Sequence, residues 1–193
     1  MRRAAASVLL LLVAAIAPGR AGAAGAAYYV DGGTSADREQ VSSALAASSF
    51  DWSILSGRVS VHLVRGIDSY SQPGHIWLNT DLLRAGSFSW AIVQDEFAHQ
   101  IDFLLFDEAT RQTLRAALGA KAWCHADRPG LLHRDYGCER FASTLVWAFW
   151  PSSRNSYRPR RASDESAAMK PAPFRALVSK LVARRLTALG LTS

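Results

Sequence analysis

One short stretch of this sequence carries residue types that could do chemistry: Gln94-Asp95-Glu96-Phe97-Ala98-His99-Gln100-Ile101-Asp102. A metal ion held by one helix needs two ligands a turn apart, at i and i+4, so that both heads converge on a point. Asp95 and His99 have that spacing. The general base of such a site follows the first ligand, and Glu96 stands there. At about 100° per residue, Trp90, Val93, Phe97, Ile101 and Leu104 share one broad face. Asp95, His99 and Asp102 form a narrow stripe opposite, with Glu96 at its edge. The plain alternative is a solvated polar face, which every amphipathic helix has.

The stretch resembles the His-Glu-x-x-His helix of zinc metallopeptidases, with Asp95 where the first His belongs. The metzincin branch would require Gly at position 102 and His or Asp at position 105; Asp102 and Leu105 exclude it. The gluzincin branch takes a Glu from a later helix, and the candidate is Glu139 in Tyr136-Gly137-Cys138-Glu139-Arg140-Phe141-Ala142-Ser143. Glu139 shares a helical face with Ala142, Ser143, Val146 and Trp150, a mostly apolar stripe that would turn it inward. A first-turn Glu stabilised by the helix dipole, by about 0.3–1 kcal/mol, is the competing reading.

The likeness to gluzincins covers roughly residues 59 to 150, where Gly74-His75-Ile76-Trp77-Leu78-Asn79 resembles the sheet-edge strand that holds substrate. It implies a minigluzincin-like domain, with a small, mostly antiparallel sheet on a mainly helical body. It also implies zinc held by Asp95, His99 and Glu139. Glu96 would be the general base for a metal-activated water that hydrolyses a peptide bond, and Asp102 would orient the His99 imidazole from behind.

The Asp at position 95 has consequences. Two carboxylates and one imidazole around Zn²⁺ make a neutral site, whereas two imidazoles and one carboxylate leave +1. Lower net charge weakens the pull on the activated water, whose pKa is about 7 in efficient zinc enzymes. Harder ions such as Mn²⁺ or Ca²⁺ become conceivable, although one imidazole is unusual for Ca²⁺. Without metal, three carboxylates in one cleft repel, and at least one pKa should rise unless Arg140 or a cation relieves it. The second functional reading is therefore an inactive pseudo-peptidase that binds a protein or envelope partner.

The elements that must position these residues follow from periodicity and turn signals. Helices are expected over Asp37–Phe50, Ser87–Phe106, Glu108–Leu118, Tyr136–Trp150 and Pro173–Leu189. Strands are expected over Val59–Val64 and Gly74–Leu78, separated by the turn-rich residues 66–73, and Thr80 or Asp81 could cap a helical piece through Arg84. A few strands followed by several helices is an α+β order. No internal repeat is visible.

Cys124 and Cys138 are the two cysteines, and in an exported chain they most simply pair. The loop closed would be worth about 3 kcal/mol and would pin the entry of the helix carrying Glu139. A metal cluster with His125 and His133 is the rival, without the C-x-x-C knuckle it usually needs. His133 and Tyr136 could donate to a developing oxyanion or make only local loop contacts. His62 and His75 read as structural or exposed strand residues, and Ser143 lacks a readable His and acid for serine chemistry.

Length and charge bound the rest. The 193 residues are 49% hydrophobic, with mean hydropathy near zero, which excludes a disordered tail and a polytopic membrane protein. Arg2 and Arg3, the apolar run Ala4–Ala17 and small residues through Ala27 read as a signal peptide over residues 1–26, with cleavage after Ala23 or Ala26. That leaves one secreted domain over residues 27–193 without a transmembrane span. Of the formal +6, three charges belong to Arg2, Arg3 and Arg20, leaving +3. Residues 28–153 carry −4 and residues 154–193 carry +7. An acidic body with a basic end, without aromatics interleaved in a basic stripe, is not a nucleic-acid profile. The basic terminal helix either docks on the core through Phe174, Leu177, Val178, Leu181, Val182, Leu186 and Leu189 or touches an anionic surface. Arg154 to Arg161 reads as a solvated connector.

Overall fold

A computed structural model describes residues 28–55 and 57–191; the signal-peptide reading of residues 1–26 lies outside the described residues. The order of elements is β1 (Tyr29–Gly32), α1 (Ser35–Ala47), β2 (Ser60–Val64), β3 (Tyr70–Gln72), β4 (His75–Asn79), α2 (Thr80–Leu83), α3 (Trp90–Leu105), α4 (Glu108–Ala117), α5 (Gly137–Phe149) and α6 (Pro171–Ala188). This is an α+β fold. Each expected helix is present, with ends displaced by a few residues. Asn79, rather than Thr80 or Asp81, caps α2 by accepting from the Asp81 amide.

The sheet is mixed, which corrects the expectation of a mostly antiparallel one. Its order is β1-β2-β4-β3; β1–β2 and β2–β4 are parallel, and only β3–β4 is antiparallel. The cause is connectivity. Helix α1 carries the chain back between β1 and β2, which makes them parallel. After β2 the chain crosses to the far edge and descends as β3. A two-residue turn then returns it as β4 beside β2. Pro73 and Gly74 form that turn, and Gly74 has φ +80°, the positive value a type II turn needs after Pro.

Strand alternation sends Val61, Leu63, Ile76 and Leu78 into the core, all at most 5% exposed. They pack with Phe97, Ile101 and Leu105 of α3 and Phe141 and Leu145 of α5 in one apolar cluster. The polar residues of α3 are not a solvated face. Gln100 is fully buried; its Oε1 accepts from the Gly74 amide (2.8 Å), and its Nε2 donates to the Gln72 and His75 carbonyls (2.9 and 3.0 Å). Gln94 Nε2 donates to the Ala44 carbonyl at the end of α1. Helix α3 therefore holds the β3–β4 hairpin through hydrogen bonds as well as apolar contact.

Helix α6 buries Phe174, Val178, Leu181 and Val182, so its apolar face is spent on the core. Its cations reach inward too. Arg185 donates to the Leu105 carbonyl at the end of α3 and pairs with Asp107 (both 2.7 Å), and Arg175 donates to the Ala148 carbonyl near the end of α5 (2.7 Å). Cations at helix C-termini complement the dipole there. No helix among the described residues is long and apolar enough to cross a membrane.

Candidate metal centre

Asp95 and His99 project from the middle of α3, and Glu139 from the first turn of α5. One donor atom from each lies within 4.8 Å of the others. His99 Nε2 is 3.4 Å from Glu139 Oε2 and 3.7 Å from Asp95 Oδ2. Donors on a tetrahedral ion at about 2.1 Å stand about 3.4 Å apart, close to the two separations from His99, so the three residues could hold a metal ion. The set, one imidazole and two carboxylates, is a chemistry that zinc and manganese accept.

The entry of α5 is clamped, which fixes Glu139. The Gly137 amide donates to the Ala122 carbonyl (2.9 Å) and the Cys138 amide to the Trp123 carbonyl (2.8 Å). A disulfide joins Cys124 to Cys138, so those sulfurs cannot serve a Cys/His cluster. Gly137 is required by close packing: a Cβ there would come within 2.6 Å of the Trp123 ring.

Burial pushes the Asp95 carboxyl well above the usual carboxylate range; Glu96, Glu139 and Glu165 push it further, while His99 opposes them. Burial likewise raises Glu96. For His99, burial favours the neutral ring, but Glu139, Asp95 and Glu96 together outweigh it and raise the imidazole to about 9. Glu139 moves the other way, because His99 and His133 overcome its desolvation and hold it ionised. The rise expected from the sequence is present at Asp95 and Glu96, and His99 offsets part of it. Arg140 does not do it, since its guanidinium is spent on the Arg134 and Leu118 carbonyls.

Glu96, Asp95, His99, Glu139, His133 and Tyr157 line one cavity of about 570 Å³. Glu96 is 7% exposed, and its Oε2 accepts from Ser71 Oγ of β3 at 2.7 Å. His133 Nε2 lies 3.2 Å from Glu139 Oε2, and its Nδ1 lies 2.8 Å from Glu165 Oε1. His133 thus joins the cluster.

Two other candidates are engaged elsewhere. Tyr136 is buried with its hydroxyl donating to the Arg128 carbonyl (3.0 Å) and accepting from the Leu131 amide (3.2 Å), which makes it a loop tie. Asp102 accepts from Arg111 Nε (2.7 Å) and Trp123 Nε1 (2.9 Å), and it makes no hydrogen bond to His99 among the described residues. It links α3 to α4 and to the segment entering α5.

Sequence reasoning missed Tyr157, Glu165 and Ser71. The arginines of the connector after α5 are exposed, as expected, but the segment is tied down: buried Asn155 donates to the Val146 and Trp150 carbonyls (3.3 and 2.8 Å), and Thr144 Oγ1 donates to the Glu165 carbonyl (3.2 Å). These bonds fold the segment back over α5 and bring Tyr157 to the cavity. Burial and the surrounding acids push the Tyr157 hydroxyl far up, so it stays protonated.

Protein-family models, curated proteins and solved structures were compared with the chain, and none matches.

Proposed function

We propose that this chain is a secreted, metallopeptidase-like protein in which Asp95, His99 and Glu139 hold a zinc-like divalent ion. The observation that carries the reading is the convergence of three donors from two helices in one cavity, with Glu96 on its wall. When bound, the ion supplies Lewis-acid polarisation of water and of a substrate carbonyl. Glu96 takes a proton from the attacking water and passes it to the leaving amine, a role suited to a carboxyl whose pKa is raised by burial. Tyr157, which lines the cavity and stays protonated, offers a donor to a developing oxyanion, whereas both ring nitrogens of His133 face carboxylates. Arg134, Arg158, Arg160 and Arg161, with Asp164 and Glu165, line a second pocket of about 450 Å³ that shares Tyr157 with the cavity, and its excess of cations would favour acidic groups on a peptide substrate.

Two observations support a second reading, a pseudo-peptidase that binds a peptide or protein without cutting it. Glu96 is buried and engaged by Ser71, and Asp95 stands where the resemblance puts an imidazole. Elemental analysis of purified protein, with peptide hydrolysis by wild type and Glu96→Gln, separates the two. Stoichiometric metal with Glu96-dependent cleavage selects the enzyme. Metal-free, folded protein that binds peptide selects the binder.

Location outside the cytoplasm is supported by the leader-like first residues and by the disulfide. Contact of α6 with an anionic surface is a lesser reading, because its apolar face and two of its arginines are already engaged. Salt-sensitive binding to anionic vesicles would restore it.

A further inference from the structure

The segment between α5 and α6 builds its pocket of about 450 Å³ against the turn that enters α5. Arg158, Arg160 and Arg161 line it from the returning segment, and Arg134 lines it from the turn. All four are exposed, and among the described residues none of their guanidiniums donates a hydrogen bond or joins an ion pair. Three of these residues are engaged through the backbone instead. The Arg134 carbonyl accepts from Arg140 Nε, and the Arg160 and Arg161 amides donate to Asp164 Oδ2 (2.7 and 2.9 Å). The acids of the lining are thus committed elsewhere: Asp164 closes that turn, and Glu165 Oε1 lies 2.8 Å from His133 Nδ1. Four cations against two acids leave the pocket at +2.

We infer that this pocket is a binding site for a phosphate-type dianion, free or carried as a monoester, held by the four guanidiniums. A guanidinium presents a planar fork that matches carboxylate and phosphate alike, so the charge and shape of the group decide between them. One carboxylate offers two oxygens in a plane and a single charge. A single fork satisfies it, and the other cations are left facing one another. A phosphate monoester carries a charge of about −1.5 to −2 at pH 7 and three strong acceptor oxygens. Its oxygens point apart, so it meets the +2 lining and accepts from forks on both walls.

The frame that carries the arginines is firm. Residues 138–189 contain no glycine, and Pro159 fixes the backbone between Arg158 and Arg160. Asn155 Oδ1 accepts from the Tyr157 amide (2.8 Å), Ser166 Oγ donates to the Tyr157 carbonyl, and the Asp164 amide donates to the Arg161 carbonyl (3.2 Å). Only the side chains of the arginines have to be ordered when an anion enters, which keeps the entropic cost of binding low. The inference goes beyond the peptidase reading, since it narrows the acidic groups that the pocket would take. None of the four arginines belongs to the Asp95–His99–Glu139 set, so the site needs neither metal nor cleavage.

The test is calorimetric titration of the full chain at low ionic strength, with a chelator present so that phosphate meets no metal. The probes are inorganic phosphate, N-acetyl-O-phosphoserine amide and acetate. One saturable phosphate-type site per chain is expected, with acetate bound at least tenfold more weakly. Tighter binding of the phosphoserine probe assigns the group to an ester, and tighter binding of inorganic phosphate assigns it to the free ion. Arg134→Gln, Arg158→Gln, Arg160→Gln and Arg161→Gln should each weaken binding about three- to fivefold, and the Arg158→Gln/Arg160→Gln/Arg161→Gln chain at least tenfold. Arg154→Gln, at an exposed arginine outside the pocket, should stay within twofold of wild type. His99→Ala should also bind phosphate as wild type does, so loss of the metal reading leaves this site standing. No saturable site, acetate bound as tightly as phosphate, or an Arg154→Gln loss equal to those in the pocket would overturn it. Binding within twofold of wild type in all four single variants would do the same, and these carry the test should the triple variant fail to fold.

Discussion

Replacing Asp95 with histidine probes the metal centre most directly. Asp95 is partly buried, and its carboxyl is lifted by desolvation and by Glu96, Glu139 and Glu165. An imidazole at position 95 removes the competition between that carboxyl's proton and the metal. It also supplies the donor zinc favours and leaves the bound site at +1 instead of neutral. Together these predict at least tenfold tighter Zn²⁺ binding, about 1.4 kcal/mol. At fixed excess zinc this appears as a further rise in Tm of about 3–6 °C for a domain of this size. The assay is a thermal-shift titration of wild type and Asp95→His, with hydrolysis of an unstructured peptide as a second readout. Cleavage should rise in Asp95→His and vanish in Asp95→His/Glu96→Gln. Zinc affinity within twofold of wild type would mean that position 95 does not face the ion, and the proposed ligand set would fail.

Other predictions follow from the supports of the site. Cys124→Ser/Cys138→Ser should lose about 3 kcal/mol, a fall in Tm of about 6–12 °C, and should weaken metal binding because Glu139 is no longer pinned; an unchanged Tm refutes the bridge's role. Gly137→Ala should cost about 1–3 kcal/mol by overpacking against Trp123, and denaturant unfolding with a loss below 0.5 kcal/mol would contradict the 2.6 Å approach. Asp37, bonded by the Thr34 amide and hydroxyl (both 2.8 Å), is held below the usual carboxylate range. Its contribution is therefore present above the unfolded value of about 3.9 and lost as pH falls through the lower folded value. Asp37→Ala should cost about 0.5–1 kcal/mol at pH 7 and progressively less below pH 4; a cost independent of pH argues against the ionised cap.

The helices were legible because their signal is local, the spacing of apolar residues, although the caps at Thr34 and Asp107 that set two of their starts went unread. The pairing of Asp95 with His99 was legible for the same reason, since it needs only the pitch of one helix. Strand direction was not, because it depends on where α1 and the 64–70 crossover carry the chain. Short β1 and β3 escaped notice, as neither has enough residues to show alternation. Asp102 illustrates the limit at the site. Helical geometry put it on the stripe with His99, but nothing local shows that Arg111 and Trp123 arrive from other segments to claim both oxygens. Tyr157 lies in an Arg- and Pro-rich stretch whose return to the cavity depends on Asn155 and Thr144, neither marked by spacing.

The two arginines of α6 tie together what the cavity needs kept apart. One grips the tail end of the rod bearing Asp95 and His99, the other the tail end of the rod bearing Glu139. Their lengthwise alignment, and with it the gap between donors, is set about two turns or more away by a helix that contributes no donor. Removing residues 171–191 should let the rods slip past each other and widen the spacing of the heads. A metal would then be lost although every ligand remained in the chain.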